Sequence, residues 1–99
     1  MQTPWGPSQH IETIAPGIQF VSTAGHGGFK LDSERNNMVP IDWRAASFNG
    51  QGRAGWYEED CDAVLVALTF PEHFADMQDQ ARTAFASYFA GKGIHLPTK

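Results

Sequence analysis

His26 stands between glycines in the run Ser22-Thr23-Ala24-Gly25-His26-Gly27-Gly28. An imidazole can act as base, acid or metal ligand near neutral pH. Flanking glycines let the backbone approach a ligand closely or take a positive φ. The plainer alternative is a tight turn in which His26 bonds only locally. Cys61, the single cysteine, could join His26 as nucleophile and base. Glu58, Glu59, Asp60 and Asp62 surround it in sequence, and like charges oppose thiolate formation. Cys61 is therefore expected to be a small buried side chain at the base of a helix, as free cysteines usually are. His26 with Glu58, Glu59 or Asp60 could also hold a cation. The four histidines, His10, His26, His73 and His95, show no i, i+3 or i, i+4 spacing, and neither H-E-x-x-H nor the D-x-D-x-D-G calcium pattern occurs. No metal and no cofactor are expected. Phosphate loop, dinucleotide fingerprint and G-x-S-x-G elbow are all missing, which removes those enzyme classes.

Charge is distributed unevenly along the chain. Residues 54–81 contain no Lys or Arg but carry Glu58, Glu59, Asp60, Asp62, Glu72, Asp76 and Asp79. This block of 28 residues has a formal charge of −7, while the remainder is +3. Such a field repels a nucleic-acid backbone and favours basic partner surfaces. The alternative is that these carboxylates only solvate helix surfaces. Trp5, Trp43, Trp56 and Tyr57 are large contact groups for so small a chain. They suit either an interface or the completion of a core.

The elements that must position these residues follow from pattern. Hydrophobic residues make up 41% of the 99, enough for one core, so one domain over residues 1–99 is expected. Residues 11–14 and 18–23 read as two strands joined by Ala15-Pro16-Gly17, a type II turn in which Pro presets the first φ and Gly takes the positive one. Residues 29–31 resume an extended pattern. Asp32 or Ser33 caps a helical turn through Met38, which Pro40 stops. Residues 42–55, with Asn49-Gly50-Gln51-Gly52, read as a loop. Glu58, Glu59 and Asp60 are expected in the first turn of a helix, where carboxylates favour its positive end. The run 63–68 is apolar all round and predicts a buried helix, with a buried strand as the alternative. Thr69-Phe70-Pro71-Glu72 fits a capping box opening a helix to about Ala90, closed by Gly91. At 100° per residue Phe74, Met77, Ala81, Ala84, Phe85 and Tyr88 face one side, and Glu72, Asp76 and Asp79 the other.

Several stretches resemble a small family of uncharacterised proteins encoded on plasmids and phages of proteobacteria. They are Thr3-Pro4-Trp5-Gly6, Ala15-Pro16-Gly17-Ile18, Val21-Ser22-Thr23 with His26-Gly27-Gly28-Phe29-Lys30-Leu31, Gly55-Trp56-Tyr57-Glu58-Glu59-Asp60-Cys61-Asp62, Val66-Ala67-Leu68 and Phe70-Pro71-Glu72. The resemblance implies an accessory gene of a mobile element. Small acidic proteins in that setting often inhibit host defence, anti-CRISPR proteins among them, and the step from setting to function is an analogy.

Together these readings predict an α+β fold, a small antiparallel sheet from the N-terminal half packed against two C-terminal helices. The expected function is a non-enzymatic, cytoplasmic protein-binding module. Its binding residues would be Glu58, Glu59, Asp60, Glu72, Asp76 and Asp79, with Trp56 and Tyr57. The expected partner is a basic protein surface, such as the nucleic-acid-binding groove of a defence nucleoprotein complex, with no direct contact to nucleic acid or membrane. The alternative is a small hydrolase or transferase using His26 with Cys61, or with Glu58 and Glu59.

Overall fold

The computed structural model describes residues 1–47, 54–89, 91–94 and 96. A short hairpin, β1 (Gln2–Thr3) and β2 (Gly6–Pro7), precedes β3 (His10–Ala15), β4 (Ile18–Ser22) and β5 (Gly27–Leu31). Pro16 and Gly17 make the predicted turn between β3 and β4, with Gly17 at φ +82°. Asp32 caps α1 (Ser33–Met38) by accepting from the Arg35 N–H at 2.8 Å, and Pro40 then separates α1 from α2 (Ile41–Ala46). Beyond lie β6 (Trp56–Glu58), α3 (Ala63–Thr69), two 3-10 turns (Pro71–His73 and Ala75–Met77) and α4 (Gln78–Tyr88). Strands pair antiparallel in the order β3-β4-β5-β6, and helices follow at the C-terminus, so the fold is α+β.

Register decides what each face of the sheet must bury. Phe20, Phe29 and Tyr57 lie opposite one another across three strands, and Ile18 opposes Leu31. Residues directly opposite share a face, so this face is apolar. It is covered by α3, which packs over β5 and β6. Leu65, Val66 and Ala67 of α3 are buried against it together with Phe70 and Phe74. Phe74 meets Phe29 edge-on at 5.4 Å. Behind α3 lies α4, whose Phe85 stacks on Trp43 of α2 at 5.0 Å. The second layer thus packs on helices, where the sequence pattern placed it on the sheet. The buried polar link is the Tyr57 hydroxyl, which donates to Asn36 Oδ1 and ties β6 to α1. Burial pushes the Tyr57 phenol above the ordinary tyrosine range; Arg44 opposes the rise and Asp62 adds to it.

The opposite face is mixed, with Gln19, Lys30 and Glu58 beside Val21 and Trp56. Val21 and Trp56 are buried there, outside the main core. The β1–β2 hairpin folds back over this face, and Trp5 meets Trp56 edge-on at 5.6 Å. Gly28 makes this possible. A Cβ at that position would stand 2.4 Å from the Trp5 ring and 2.5 Å from the Tyr57 carbonyl oxygen. Lys30 completes the group, its ammonium 5.4 Å from the Trp56 ring.

Four expectations need correction. Residues 56–58 form the fourth strand, and Glu58, Glu59 and Asp60 therefore do not open a helix, which starts at Ala63. Residues 42–46 are helical and not loop, because Trp43 buries itself against Phe85; residues 49–52 lie outside the described residues. Thr69 does not cap a following helix: its hydroxyl donates back to the Leu65 carbonyl at 2.7 Å inside α3. The helix predicted from Thr69 begins instead at Gln78, whose amide donates to the carbonyls of Ala67 and Phe74.

Replacing Gly28 by Ala pushes a methyl into backbone as well as into the Trp5 ring, and should cost about 1–3 kcal/mol in urea unfolding. Loss below about 0.3 kcal/mol would show that Trp5 does not sit on β5. Tyr57→Phe leaves the Asn36 oxygen without its donor and should cost about 1–3 kcal/mol at pH 7. Because folding raises the phenol pKa, the stability tied to it is full below the unfolded value of about 10 and falls as pH rises beyond it. Between pH 9 and 11 the wild type should therefore lose stability more steeply than Tyr57→Phe.

Candidate functional site

The turn joining β4 to β5 is closed by Thr23. Its hydroxyl donates to the His26 carbonyl at 3.0 Å and accepts from the His26 N–H at 3.1 Å, while its own N–H donates to the same carbonyl at 2.7 Å. The local-turn alternative therefore describes the His26 backbone. The His26 side chain is exposed. Against this turn lies the one that follows β6, because the Glu59 N–H donates to the Gly27 carbonyl at 3.0 Å. Gly27 leaves room for the neighbour: a Cβ there would be 3.1 Å from the Glu59 carboxylate. The fold thus brings the His26 turn and the residues 58–61 to the same end of the sheet. It does not join them into a dyad, since the His26 ring makes no hydrogen bond or ion pair among the described residues.

Cys61 is exposed in the turn before α3 and is not the buried helix-base residue expected. Helix α3 starts two residues later, and Asp62 makes the intervening cap position. Desolvation raises the thiol pKa, and the carboxylates of Glu58, Asp62 and Asp60 raise it further against a lowering by Lys92. A thiol whose pKa is raised in this way is a poorer nucleophile at neutral pH than a free one. The acidic flank read from the sequence has the effect anticipated for it.

The carboxylates divide between two places. Glu58 ends β6 opposite Gly28, half-buried, and Glu59 and Asp60 follow it into solvent beside the His26 turn. At the other end of the sheet, Arg35 donates to the Pro16 carbonyl at 3.0 Å and stacks on Phe70 at 5.1 Å. Glu72 comes two residues after that ring. Glu72 and Asp76 sit on the 3-10 turns and Asp79 in the first turn of α4, all exposed. The single helix face predicted for these three does not exist, because the backbone between them is not one α-helix. Their exposure is as predicted. Glu72 lies 3.8 Å from His73, while Glu58, Glu59, Asp60, Asp76 and Asp79 have no ion pair with Lys or Arg among the described residues. Trp56 and Tyr57 are buried by the fold and are not presented to a partner.

Clefts among the described residues lie elsewhere, near the C-terminal end. One, of about 290 Å³, is walled by Phe85, Phe89, Ile94 and Leu96. Another, of about 410 Å³, runs between Asp42 and Lys92. Neither was signalled by a motif, because its walls are ordinary apolar and small residues. Among the described residues no group of three or more His, Cys, Asp or Glu converges as a metal site, and no helix is long and apolar enough to cross a membrane.

These features define a small α+β domain with exposed, unpaired carboxylates and no assembled catalytic constellation among the described residues. The chain belongs to the family described as a domain of unknown function (DUF7007), whose model matches residues 1–92. Comparison with curated proteins and with solved structures finds no match.

Alkylation by iodoacetamide tests the Cys61 environment. The wild-type rate at pH 7.5 should fall below that of a free cysteine despite the exposure of the residue, and Glu58→Gln with Asp60→Asn should raise it about two- to tenfold. A fast rate unmoved by the double change would mean that the carboxylates do not govern the thiol.

Proposed function

We propose that this chain is a non-enzymatic protein-binding module that uses exposed carboxylates to engage a basic surface. The observation that carries the reading is the unneutralised charge: Glu59, Asp60, Asp76 and Asp79 are exposed, and the fold supplies none of them with a Lys or Arg partner among the described residues. Surface charge left unpaired in this way costs little in the free protein and raises both the rate and the selectivity of encounter with an opposite field. Two groups separated along the sheet suit a partner whose positive charge is extended, as in a nucleic-acid-binding groove. The resemblance to plasmid- and phage-encoded proteins supplies the setting, a mobile element opposing a host defence nucleoprotein complex in the cytoplasm. A hydrolase or transferase using His26 with Cys61, or with Glu58 and Glu59, has the weaker support. The His26 turn does adjoin Glu59, but the imidazole has no partner among the described residues and the thiol pKa is raised by its surroundings.

The test is competition with DNA for purified CRISPR effector complexes, read by gel shift. The wild-type chain should displace target DNA. Reversal of Glu72, Asp76 and Asp79 to Lys, or of Glu59 and Asp60 to Lys, should weaken displacement about tenfold or more while circular dichroism stays unchanged. Added salt should weaken it as well, since exposed charge is screened over a shorter distance. A panel of such complexes in which none is displaced, or displacement indifferent to both reversals and to salt, would overturn the reading.

A further inference from the structure

Strand β3 forms the outer edge of the sheet, and among the described residues nothing covers its first four residues. The helices pack over β5 and β6. On the other face the β1–β2 hairpin runs inward to Trp56 and away from β3. His10, Ile11, Glu12 and Thr13 are consequently exposed in succession, which in a strand means that both faces are open to water. Ile11, at 39% exposure, is one of the large apolar side chains left outside the core. An open edge with unpaired backbone groups is a template for another strand. Lysine, a common guard on such edges, is missing from β3, and the bulge, between Thr13 and Ala15, leaves His10 to Glu12 in regular register.

We propose that β3 is a self-association edge on which a second copy of this chain pairs antiparallel, with the two-fold axis at Ile11. The order of residue types selects this axis. Centred on Ile11, the pairing sets His10 opposite Glu12 of the second copy, and Glu12 opposite its His10, while the two isoleucines meet at the axis. Centred on Glu12, it would oppose two like carboxylates. Centred on Thr13, it would draw the bulge into the ladder. Centred on His10, it would leave Ile11 against Gln9. Cross-strand pairs of opposite type and paired β-branched residues stabilise antiparallel ladders, whereas like charges directly opposite destabilise them. A two-fold axis also repeats each favourable pair, so a self-complementary triplet gains twice from one sequence. The product is a continuous eight-stranded sheet with the acidic turns on its outer parts. This inference does not depend on the acidic-surface reading.

A contact of about five residues per strand is small beside a standard interface, so the dimer is weak and must be sought at about 10 µM to 1 mM. Sedimentation velocity should show the mass rising from one chain toward two over this range. His10→Glu and Glu12→Lys should each weaken association about tenfold, as should Ile11→Lys, with circular dichroism unchanged. The double variant His10→Glu with Glu12→Lys places opposite charges across the axis and should recover association to within about threefold of wild type. A chain that stays monomeric throughout, a dimer indifferent to Ile11→Lys, or a double variant no better than its single parents would overturn the proposal.

Discussion

The sheet face that holds Val21 and Trp56 needs a cover, and the helices pack on the other face. The missing side chain of Gly28 makes room for one. With hydrogen in place of a methyl at the middle of the sheet, the Trp5 ring lies directly on β5 and reaches Trp56, so a hairpin of a few residues does the work of a second helical layer. Close packing leaves no slack for this contact, because the Tyr57 carbonyl bounds the same space from the neighbouring strand. The glycine-rich run around His26 thus serves two ends: Gly27 admits the Glu59 turn and Gly28 admits Trp5. Both are accommodations of the chain to itself.

What remains at the surface follows from that arrangement. Ile11 apart, the large apolar residues of the sheet are taken up internally, so aromatics such as Trp56 and Tyr57, with Trp43 of α2, are spent on packing. Among the groups without an internal counterpart are the carboxylates of the turn after β6, of the 3-10 connection and of the first turn of α4. Burying Tyr57 demanded a polar acceptor, which Asn36 supplies from α1; the acidic residues made no comparable demand because water satisfies them.

How far the fold could be read from the sequence depended on how local each signal was. The Pro16-Gly17 turn, the Asp32 cap and the apolar run of α3 are decided within a few residues, and all three are legible. Strand β6 is not. Its three residues are too few to show alternation, and the carboxylates after Tyr57 resemble a helix start, so only pairing with β5 reveals it. The capping box at Thr69 has the right letters, but the hydroxyl found a carbonyl one turn earlier. Helical periodicity carried back through Phe74 because that ring, between the two 3-10 turns, is buried where a helical stripe would also bury it. For the candidate site, charge and exposure could be read from composition. The approach of the His26 turn to Glu59 could not, since it joins residues far apart in the chain.

Strands β3, β4 and β5 follow one another directly, whereas β6 is reached only after α1 and α2 have been made. On the ribosome the first three strands are therefore complete while Tyr57, the carbonyl bounding Gly28 and the whole of α3 are still to be synthesised. Phe29 and Leu31 then have no lid on one side, and β5 itself is an open edge. A nascent chain at that stage exposes the kind of surface that chaperones retain and that neighbouring chains capture. Release of the stretch through Phe70 from the ribosome ends this interval, since it carries both β6 and α3.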